Sequence, residues 1–406
     1  MPASRCRPDR TAPFPTEPIR RTGVRTGAVA AAAFSVLLAT ASPARAQTPD
    51  EALAAALPAV CAGAVPASEL AARCGELSAG GPGALQAVAA GNVLGEIPGQ
   101  GRVATRDGTP EDGAPATDLA AGWSLVASAD VGWQDRRAGG NEAAFDGDSA
   151  SLAAGVDWRP ADDWQLGLLL NHARDQLRFD GSGGRLRSRF SGVLAVAGWQ
   201  PHAAWSLDAY AGRLRGGMEV RRVIEYVLPG GVAFASRANA AADSDRELAG
   251  IGATWSAARG AWNAQLGAGV DWQRTTIAPY GETGGGGFAI AAPGREVVSR
   301  RGRVDATLAR TVSREWGVVQ PFASAGWRRE YANAARPLTV RFLQDAAGTP
   351  VTFATDDPDT TWGEVAAGAT FVFAGGHSAF IEWRQRMAHD FLDERLLAIG
   401  WRMELP

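Results

Sequence analysis

The sequence has few histidines and cysteines, and after its N-terminal region it has no long apolar run. Its 406 residues include four histidines and three cysteines. After Ala46 no stretch approaches the roughly 18 consecutive apolar residues of a spanning helix. The formal net charge is −3, which excludes the strongly basic surface of nucleic-acid-binding proteins. We therefore expect no nucleic-acid partner, no cofactor and no dedicated metal site.

The first 46 residues have the organisation of a cleaved signal peptide. Three arginines between positions 20 and 25 precede the uncharged run from Ala28 to Ala41. That run is too short to act as a membrane anchor, which is the alternative interpretation, because spanning takes about 20 apolar residues. The triplet Ala44-Arg45-Ala46 is a small-x-small site and predicts cleavage between Ala46 and Gln47.

Two cysteines stay in the chain after this cleavage, namely Cys61 and Cys74. An even pair in an exported chain predicts one disulfide bond, because the compartment is oxidising. The alternative is two free thiols.

Residues 47–82 are expected to form a short helical hairpin. The sequence Thr48-Pro49-Asp50-Glu51 is a capping box that starts a first helix, and the Ala/Leu run behind it reaches Pro58. A second helix is predicted from Ser68 to Leu77. Residues 83–121 follow as a thin helix over Gly83–Ile97 and a Gly/Pro-rich linker.

From Gly122 onward the hydrophobic period changes to two, as in β-strands. Between Trp123 and Trp133 every second residue is apolar, whereas the intervening positions are small or polar. The segment from Trp262 to Trp272 repeats this pattern. Each segment is therefore predicted to form a strand with one apolar face.

The tryptophan spacing distinguishes a membrane barrel from a soluble sandwich. In both segments the two tryptophans are ten residues apart on the apolar face, and ten residues of a tilted strand climb ~25 Å. That height equals the apolar band of an outer-membrane barrel, which aromatic girdles flank. The predicted girdle consists of Trp123, Trp133, Trp158, Trp164, Trp199, Trp205, Trp255, Trp262, Trp272 and Trp316.

Connections of two lengths alternate along the rest of the chain, with short turns at one end of the strands and long polar loops at the other. The long loops are predicted at 136–147, 178–187, 217–244, 276–295 and 331–359, with a shorter one near 388–393. Twelve strands are predicted at 122–135, 148–159, 164–177, 187–200, 205–216, 245–257, 262–275, 296–311, 316–330, 360–373, 378–388 and 394–404.

Such strands can cross hydrocarbon only as a closed cylinder, because the membrane offers backbone groups no hydrogen-bond partners. Arg301, Arg303 and Asp305 alternate with small or apolar residues and are predicted to face the lumen. Trp316 and Trp327 are eleven residues apart, which predicts opposite faces unless a bulge intervenes.

Residues 122–406 therefore predict an all-β transmembrane barrel, and with the preceding thin helix they resemble the translocator domain of autotransporters. The last strand, Leu396-Leu397-Ala398-Ile399-Gly400-Trp401-Arg402-Met403, is similar to that family's C-terminal strand. The resemblance implies a monomeric barrel in outer-membrane lipid, export through the Sec translocon and insertion by the barrel-assembly machinery. It also implies that Ala84, Leu85, Ala87, Val88 and Ala89 lie in the lumen and that the barrel translocates or anchors its own short N-terminal segment.

Two other functions stay open. The barrel could be a channel that the N-terminal helices plug. Alternatively, Asp356 and Asp357 together with His389 and Asp390 could activate water at the outer rim, as acidic pairs do in outer-membrane proteases. We expect no catalytic residues, so this hydrolase is the weaker hypothesis.

Overall fold

A computed structural model describes residues 49–80, 86–87, 122–180, 184–228, 230–332 and 337–405. All of them belong to the unit Ala46–Pro406. The predicted cleavage site between Ala46 and Gln47 lies outside the described residues, as does most of the predicted segment 83–121.

Twelve long antiparallel strands form a closed barrel, which confirms the predicted fold class. They are β1 (Trp123–Arg136), β2 (Phe145–Ala161), β3 (Trp164–Phe179), β4 (Arg185–His202), β5 (Trp205–Val227), β6 (Ala233–Arg259), β7 (Trp262–Ile277), β8 (Arg295–Arg310), β9 (Gly317–Glu330), β10 (Thr361–Phe373), β11 (His377–Met387) and β12 (Leu392–Glu404).

Each strand pairs with the next one along the chain, and the last strand pairs with the first. The closing register runs from Leu392 opposite Arg136 to Glu404 opposite Ser124. The ring therefore has no free edge, and its backbone hydrogen bonds are made between strands, as a hydrocarbon environment demands.

One predicted loop, 217–244, is largely strand. β5 continues to Val227 and β6 begins at Ala233, so this pair is longer than any other. The physical reason lies in the inward face, where Ile224, Tyr226 and Ala238 are buried. Their burial extends the pairing far beyond the predicted strand ends, and the hairpin projects past the rest of the wall.

Two more predicted loops, 276–295 and 331–359, are not simple polar connections. They contribute the strands of a small separate sheet, ordered Val351–Phe353, Leu338–Phe342, Ile290–Ala292 and Tyr280–Gly281. We call this four-stranded element the loop sheet. Alternate residues of its longest strand, Leu338, Val340 and Phe342, are buried, so the sheet has an apolar face of its own.

The N-terminal region forms two helices, α1 (Pro49–Ala62) and α2 (Glu69–Gly80). α1 continues past Pro58, where the Ala/Leu run stops, because Val60 extends the buried face of Leu53 and Leu57 beyond the exposed proline. α2 begins as predicted after Ser68, whose Oγ accepts the Ala71 N–H at 3.2 Å and caps the helix. The predicted Cys61–Cys74 disulfide is present and joins the two helices.

The predicted helix over Gly83–Ile97 is described at two residues only, Gln86 and Ala87. They form a short strand opposite Glu225 and Ile224 of β5 rather than a helix in the lumen. The remaining residues of this prediction lie outside those described. No helix in the described part of the chain is long and apolar enough to cross a membrane.

Candidate functional site

The outward face of the wall is apolar between two rows of aromatic side chains. Leu152, Leu168 and Leu170 point outward on β2 and β3, and Leu170 leaves 67% of its surface uncovered by protein. In water such a surface would favour association or aggregation, but against lipid chains it is the expected covering.

Tryptophans meet in cross-strand pairs at the end of the barrel where the short turns lie. Trp123 is opposite Trp158 with ring centroids 5.8 Å apart, and Trp164 is opposite Trp199 at 5.7 Å. Trp205 and Trp255 form a third register pair. Since short turns mark the periplasmic side, we call this end the inner rim and the opposite end the outer rim.

Two further tryptophans of the predicted girdle lie at the inner rim. The guanidinium carbon of Arg310 lies over the Trp262 ring, 5.6 Å from the ring centroid. Trp316 packs against Phe371 and Phe373. Trp316 and Trp327 are both exposed, contrary to the predicted opposite faces, because Trp316 lies in the turn before β9, where strand alternation does not apply.

The outer rim carries the other predicted girdle residues. Trp133 is 47% exposed on β1, and Trp272 is partly exposed on β7. Their role as lipid anchors is taken up under the proposed function.

The lumen is lined by paired charges. Arg303 lies 3.4 Å from Asp208 and 3.9 Å from Asp271, on strands β5 and β7. Asp305 accepts the Arg328 guanidinium at 2.6 Å. Arg301 is two residues before Arg303 and therefore lies on the same face of β8 as Arg303 and Asp305. The three residues predicted to face the lumen therefore lie on the face opposite exposed Val304 and Leu308.

Nearer the inner rim the same pattern continues. Arg402 contacts Asp157 at 3.1 Å and donates to the Ser124 hydroxyl at 2.9 Å. Gln165 donates to the second oxygen of Asp157 at 2.7 Å. These cross-strand contacts make the lumen wall polar and hold its side chains in defined positions.

The helical hairpin α1–α2 packs onto the outer end of the barrel, and we call it the cap. One hydrophobic cluster combines three kinds of element: the cap, the projecting β5–β6 hairpin and the loop sheet. Its buried members include Leu53, Leu57, Val60, Leu70, Leu77, Ile224, Tyr226, Phe288, Ile290, Leu338, Val340, Phe342, Val351 and Phe353.

Specific polar contacts fix the position of the cap on this core. The Leu70 N–H donates to the side chain of Gln344 at 3.0 Å, and the Val65 N–H donates to the Gln344 carbonyl at 2.9 Å. The Tyr226 hydroxyl donates to Glu76 at 2.9 Å. Arg73 lies over the Phe234 ring at 4.8 Å. Two helices and one β-hairpin are therefore joined by directional contacts as well as by apolar packing.

Space is also tight at Gly287, where two backbones approach each other, and at Gly63, which faces the Asp345 side chain. A Cβ on Gly287, whose φ is +99°, would lie 2.7 Å from backbone atoms of Glu69 and Leu70. A Cβ on Gly63 would lie 2.1 Å from Asp345. Both positions therefore require glycine for the cap to seat.

Asp345 is the polar centre of the turn beneath the cap. Its carboxylate accepts the N–H groups of Ala347 at 2.9 Å and Thr349 at 2.7 Å. Burial alone would raise the pKa of Asp345, but these donors outweigh it and the pKa is lowered. Ala346 donates its N–H to the Gly63 carbonyl at 2.6 Å, which ties the turn to α1.

Asp356, the first carboxylate of the hydrolase hypothesis, has structural partners. Asp356 is buried, lies 3.3 Å from the Arg136 guanidinium and accepts the Asn141 N–H at 2.7 Å. His389 lies beside Asp359 instead, with 3.9 Å between Nδ1 and the nearer carboxylate oxygen.

His389 is held as a neutral acceptor. Its Nδ1 accepts the N–H groups of Phe391 at 3.2 Å and Leu392 at 3.1 Å. Burial, reinforced by the nearby Arg386, lowers the pKa of His389 to about 4. Its Nδ1 lone pair is thus occupied by a turn and not free to activate water. Within the described ranges, no three His, Cys, Asp or Glu side chains group as metal ligands.

Sequence reasoning missed the site formed by the cap, because its parts come from four distant segments. One signal was available: Leu338, Val340 and Phe342 alternate with polar residues inside a region predicted as loop. The buried pair Arg222–Glu282, 2.6 Å apart, gave no such signal.

Comparison with known proteins agrees with this geometry. A family profile described as "Autotransporter beta-domain" matches residues 125–384. The fold is similar to the translocator domain of the autotransporter NalP from Neisseria meningitidis, with a TM-score of 0.52 and 13% identity over 73% of this chain and 91% of that one.

Two further solved structures are the β domain of the Bordetella autotransporter BrkA and the transport unit of AIDA-I from Escherichia coli. BrkA gives a TM-score of 0.48 and 18% identity over 70% of this chain and all of that one. AIDA-I gives 0.40 and 12% over 72% and 92%. No curated protein matches the sequence. Because the family profile covers more than half of the chain, this protein belongs to the autotransporter β-domain family, and its barrel resides in the Gram-negative outer membrane.

Proposed function

We propose that this barrel carries its own N-terminal segment to the cell surface and keeps it there as a docked cap. The observation that supports this is the shared hydrophobic cluster, in which α1 and α2 bury their apolar faces against the outer loops. A segment in transit or one destined for release has no need of so many specific contacts with the barrel that exported it.

The two described ends of the connecting segment support a route through the pore. Ala87 pairs with Ile224 beyond the outer rim, whereas Trp123 begins β1 at the inner rim. The 34 residues from 88 to 121 join these ends, and even a fully helical chain of that length would reach ~50 Å. Since the wall is closed, we propose that this connection passes through the lumen, whose charged face includes Arg301, Arg303 and Asp305.

This route implies a role for each segment of the chain. Residues 1–46 act as the signal peptide with cleavage between Ala46 and Gln47, 47–82 form the cap, and 83–121 connect it to the barrel at 122–406. The tryptophan rows anchor a monomeric barrel in lipid. Export uses the Sec translocon, and insertion uses the barrel-assembly machinery. The barrel performs transport and anchoring, and we assign it no catalytic residue.

Surface labelling of intact cells tests the location of the cap. An epitope inserted after Pro66, in the exposed turn between α1 and α2, should bind antibody on intact cells. The matched control carries the same epitope after Gly375, in an inner-rim turn, and should bind only after the outer membrane is permeabilised. Equal labelling of both variants before permeabilisation, or of neither, would contradict the proposal.

A channel plugged by the N-terminal helices is the second candidate function, favoured by the polar lumen. Planar-bilayer conductance separates it from a permanent anchor. An anchor predicts that the full chain stays closed and that a chain lacking residues 47–100 conducts. A plugged channel predicts that the full chain itself opens under voltage or solute. Equal conductance of both chains would contradict both roles, because the N-terminal segment would then not block the pore.

A further inference from the structure

The outer rim carries arginine on three neighbouring strands where β1 and β7 carry tryptophan. On β1 and β7 the outer tryptophan stands ten residues from the inner one. Counting ten residues from Trp164, Trp199 and Trp205 gives Arg174, Arg189 and Arg215, on β3, β4 and β5. All three are exposed on the outward face. We call these residues the arginine rim.

The arginine rim lies at the border of the apolar band. Ten residues of tilted strand span ~25 Å, which is the height of that band. Apolar residues of the same face, Leu170 on β3 and Val193 on β4, lie just inside the rim and are exposed to lipid. An arginine at the bilayer midplane costs about 2–4 kcal/mol, but near the interface this falls to about 0–1. The three guanidinium groups are therefore placed among lipid headgroups and not among lipid chains.

The charges of this rim are close together and only partly neutralised by the protein. Arg174 and Arg189 are directly opposite in the β3–β4 register, where like charges repel. Neither has a carboxylate partner among the described residues. Arg215 lies 3.7 Å from Asp245, but that carboxylate also contacts Arg213 at 3.3 Å. The cluster therefore has an excess of positive charge.

We propose that the arginine rim binds the phosphate groups of a phosphorylated lipid in the outer leaflet. Guanidinium forks match phosphate oxygens with two parallel hydrogen bonds, and basic clusters at the membrane surface recognise anionic headgroups. The apolar wall directly below the rim receives the acyl chains. This second contact selects a lipid over a free anion.

Native mass spectrometry of the full, folded chain in neutral detergent tests this proposal, with diphosphorylated lipid A as the probe. The triple variant Arg174→Gln, Arg189→Gln, Arg215→Gln should bind the lipid about tenfold more weakly or worse, since it loses several charge-assisted contacts. The matched control, Arg300→Gln, Arg329→Gln, Arg395→Gln, removes the same charge from outward positions on β8, β9 and β12 and should bind like the wild type.

Two arms use the wild-type chain alone, so they do not depend on the folding of any variant. Lipid A without its phosphates should bind the wild-type chain about tenfold more weakly than diphosphorylated lipid A does. Inorganic phosphate in large excess should not displace the intact lipid. Equal binding of the dephosphorylated lipid, full displacement by phosphate, or an equal loss in the control variant would overturn the proposal.

Discussion

The barrel wall and the cap use opposite ways of burying apolar surface. In the wall each strand pairs with the next along the chain, and apolar residues face outward to lipid. In the cap, apolar residues face inward and meet partners far away in sequence, such as Leu70 and Gln344, which are 274 positions apart. The wall is therefore a membrane structure built from local rules, whereas the cap is a small water-exposed domain assembled from distant pieces.

The largest effect that separates the two regions is expected at Arg222, which lies on β5 in the projecting hairpin that carries the cap. Its buried guanidinium donates to Glu282 at 2.6 and 3.0 Å and to the Phe288 carbonyl at 2.5 Å. Arg222→Met leaves Glu282 buried without its partner, which costs about 3–5 kcal/mol. We expect the cap and loop sheet to become protease-sensitive while the barrel keeps its heat-modifiable gel mobility.

The control for this variant is Arg221→Met, the neighbouring residue on the outward face. It should leave protease resistance unchanged. If Arg221→Met loosened the cap as much as Arg222→Met, the buried pair would not be what holds the loops in place.

The next largest effect is expected in the wall, where neighbouring residues of one strand face opposite sides. One faces the lipid and the next faces the lumen. Leu266 of β7 points outward and is 54% exposed, so Leu266→Arg should lower the free energy of unfolding in lipid vesicles by about 2–4 kcal/mol. Gln265→Arg, one residue away on the inward face, should cost much less. Chemical denaturation of both variants gives the comparison, and equal losses would contradict the assignment of the two faces.

The alternation of outward and inward residues explains why the strands of the wall could be predicted from the sequence, whereas the docking of the cap could not. The alternation between Trp262 and Trp272 is visible within eleven residues, and it fixes both the strand and its faces. The extension of β5 to Val227 depends instead on Tyr226 meeting Glu76 and Phe234, a contact that no local pattern encodes. Both helices were predicted from the sequence, α1 from its capping box, but their docking partners were not.

The smallest effect is expected from pH, and only on the cap. The lowered pKa of Asp345 means that its carboxylate stabilises the turn above the ordinary value of ~3.9 and that this stabilisation is lost as the pH falls through the folded-state value. Proteolysis of the cap by an acid-active protease should accelerate over that range. Asp345→Asn should be cut faster at neutral pH and show less further change on acidification. An unchanged acid response in Asp345→Asn would assign the effect to other groups.

The most direct test of the account is hydrogen exchange of the loop sheet with and without the cap. Full chain and a chain lacking residues 49–80 are compared in the same lipid vesicles. If the cap and loops share one core, the amides of Leu338–Phe342 and Ile290–Ala292 will exchange much faster in the shortened chain, whereas those of β1–β12 below the outer rim keep their protection. Equal protection of the loop sheet in both chains would contradict a docked cap.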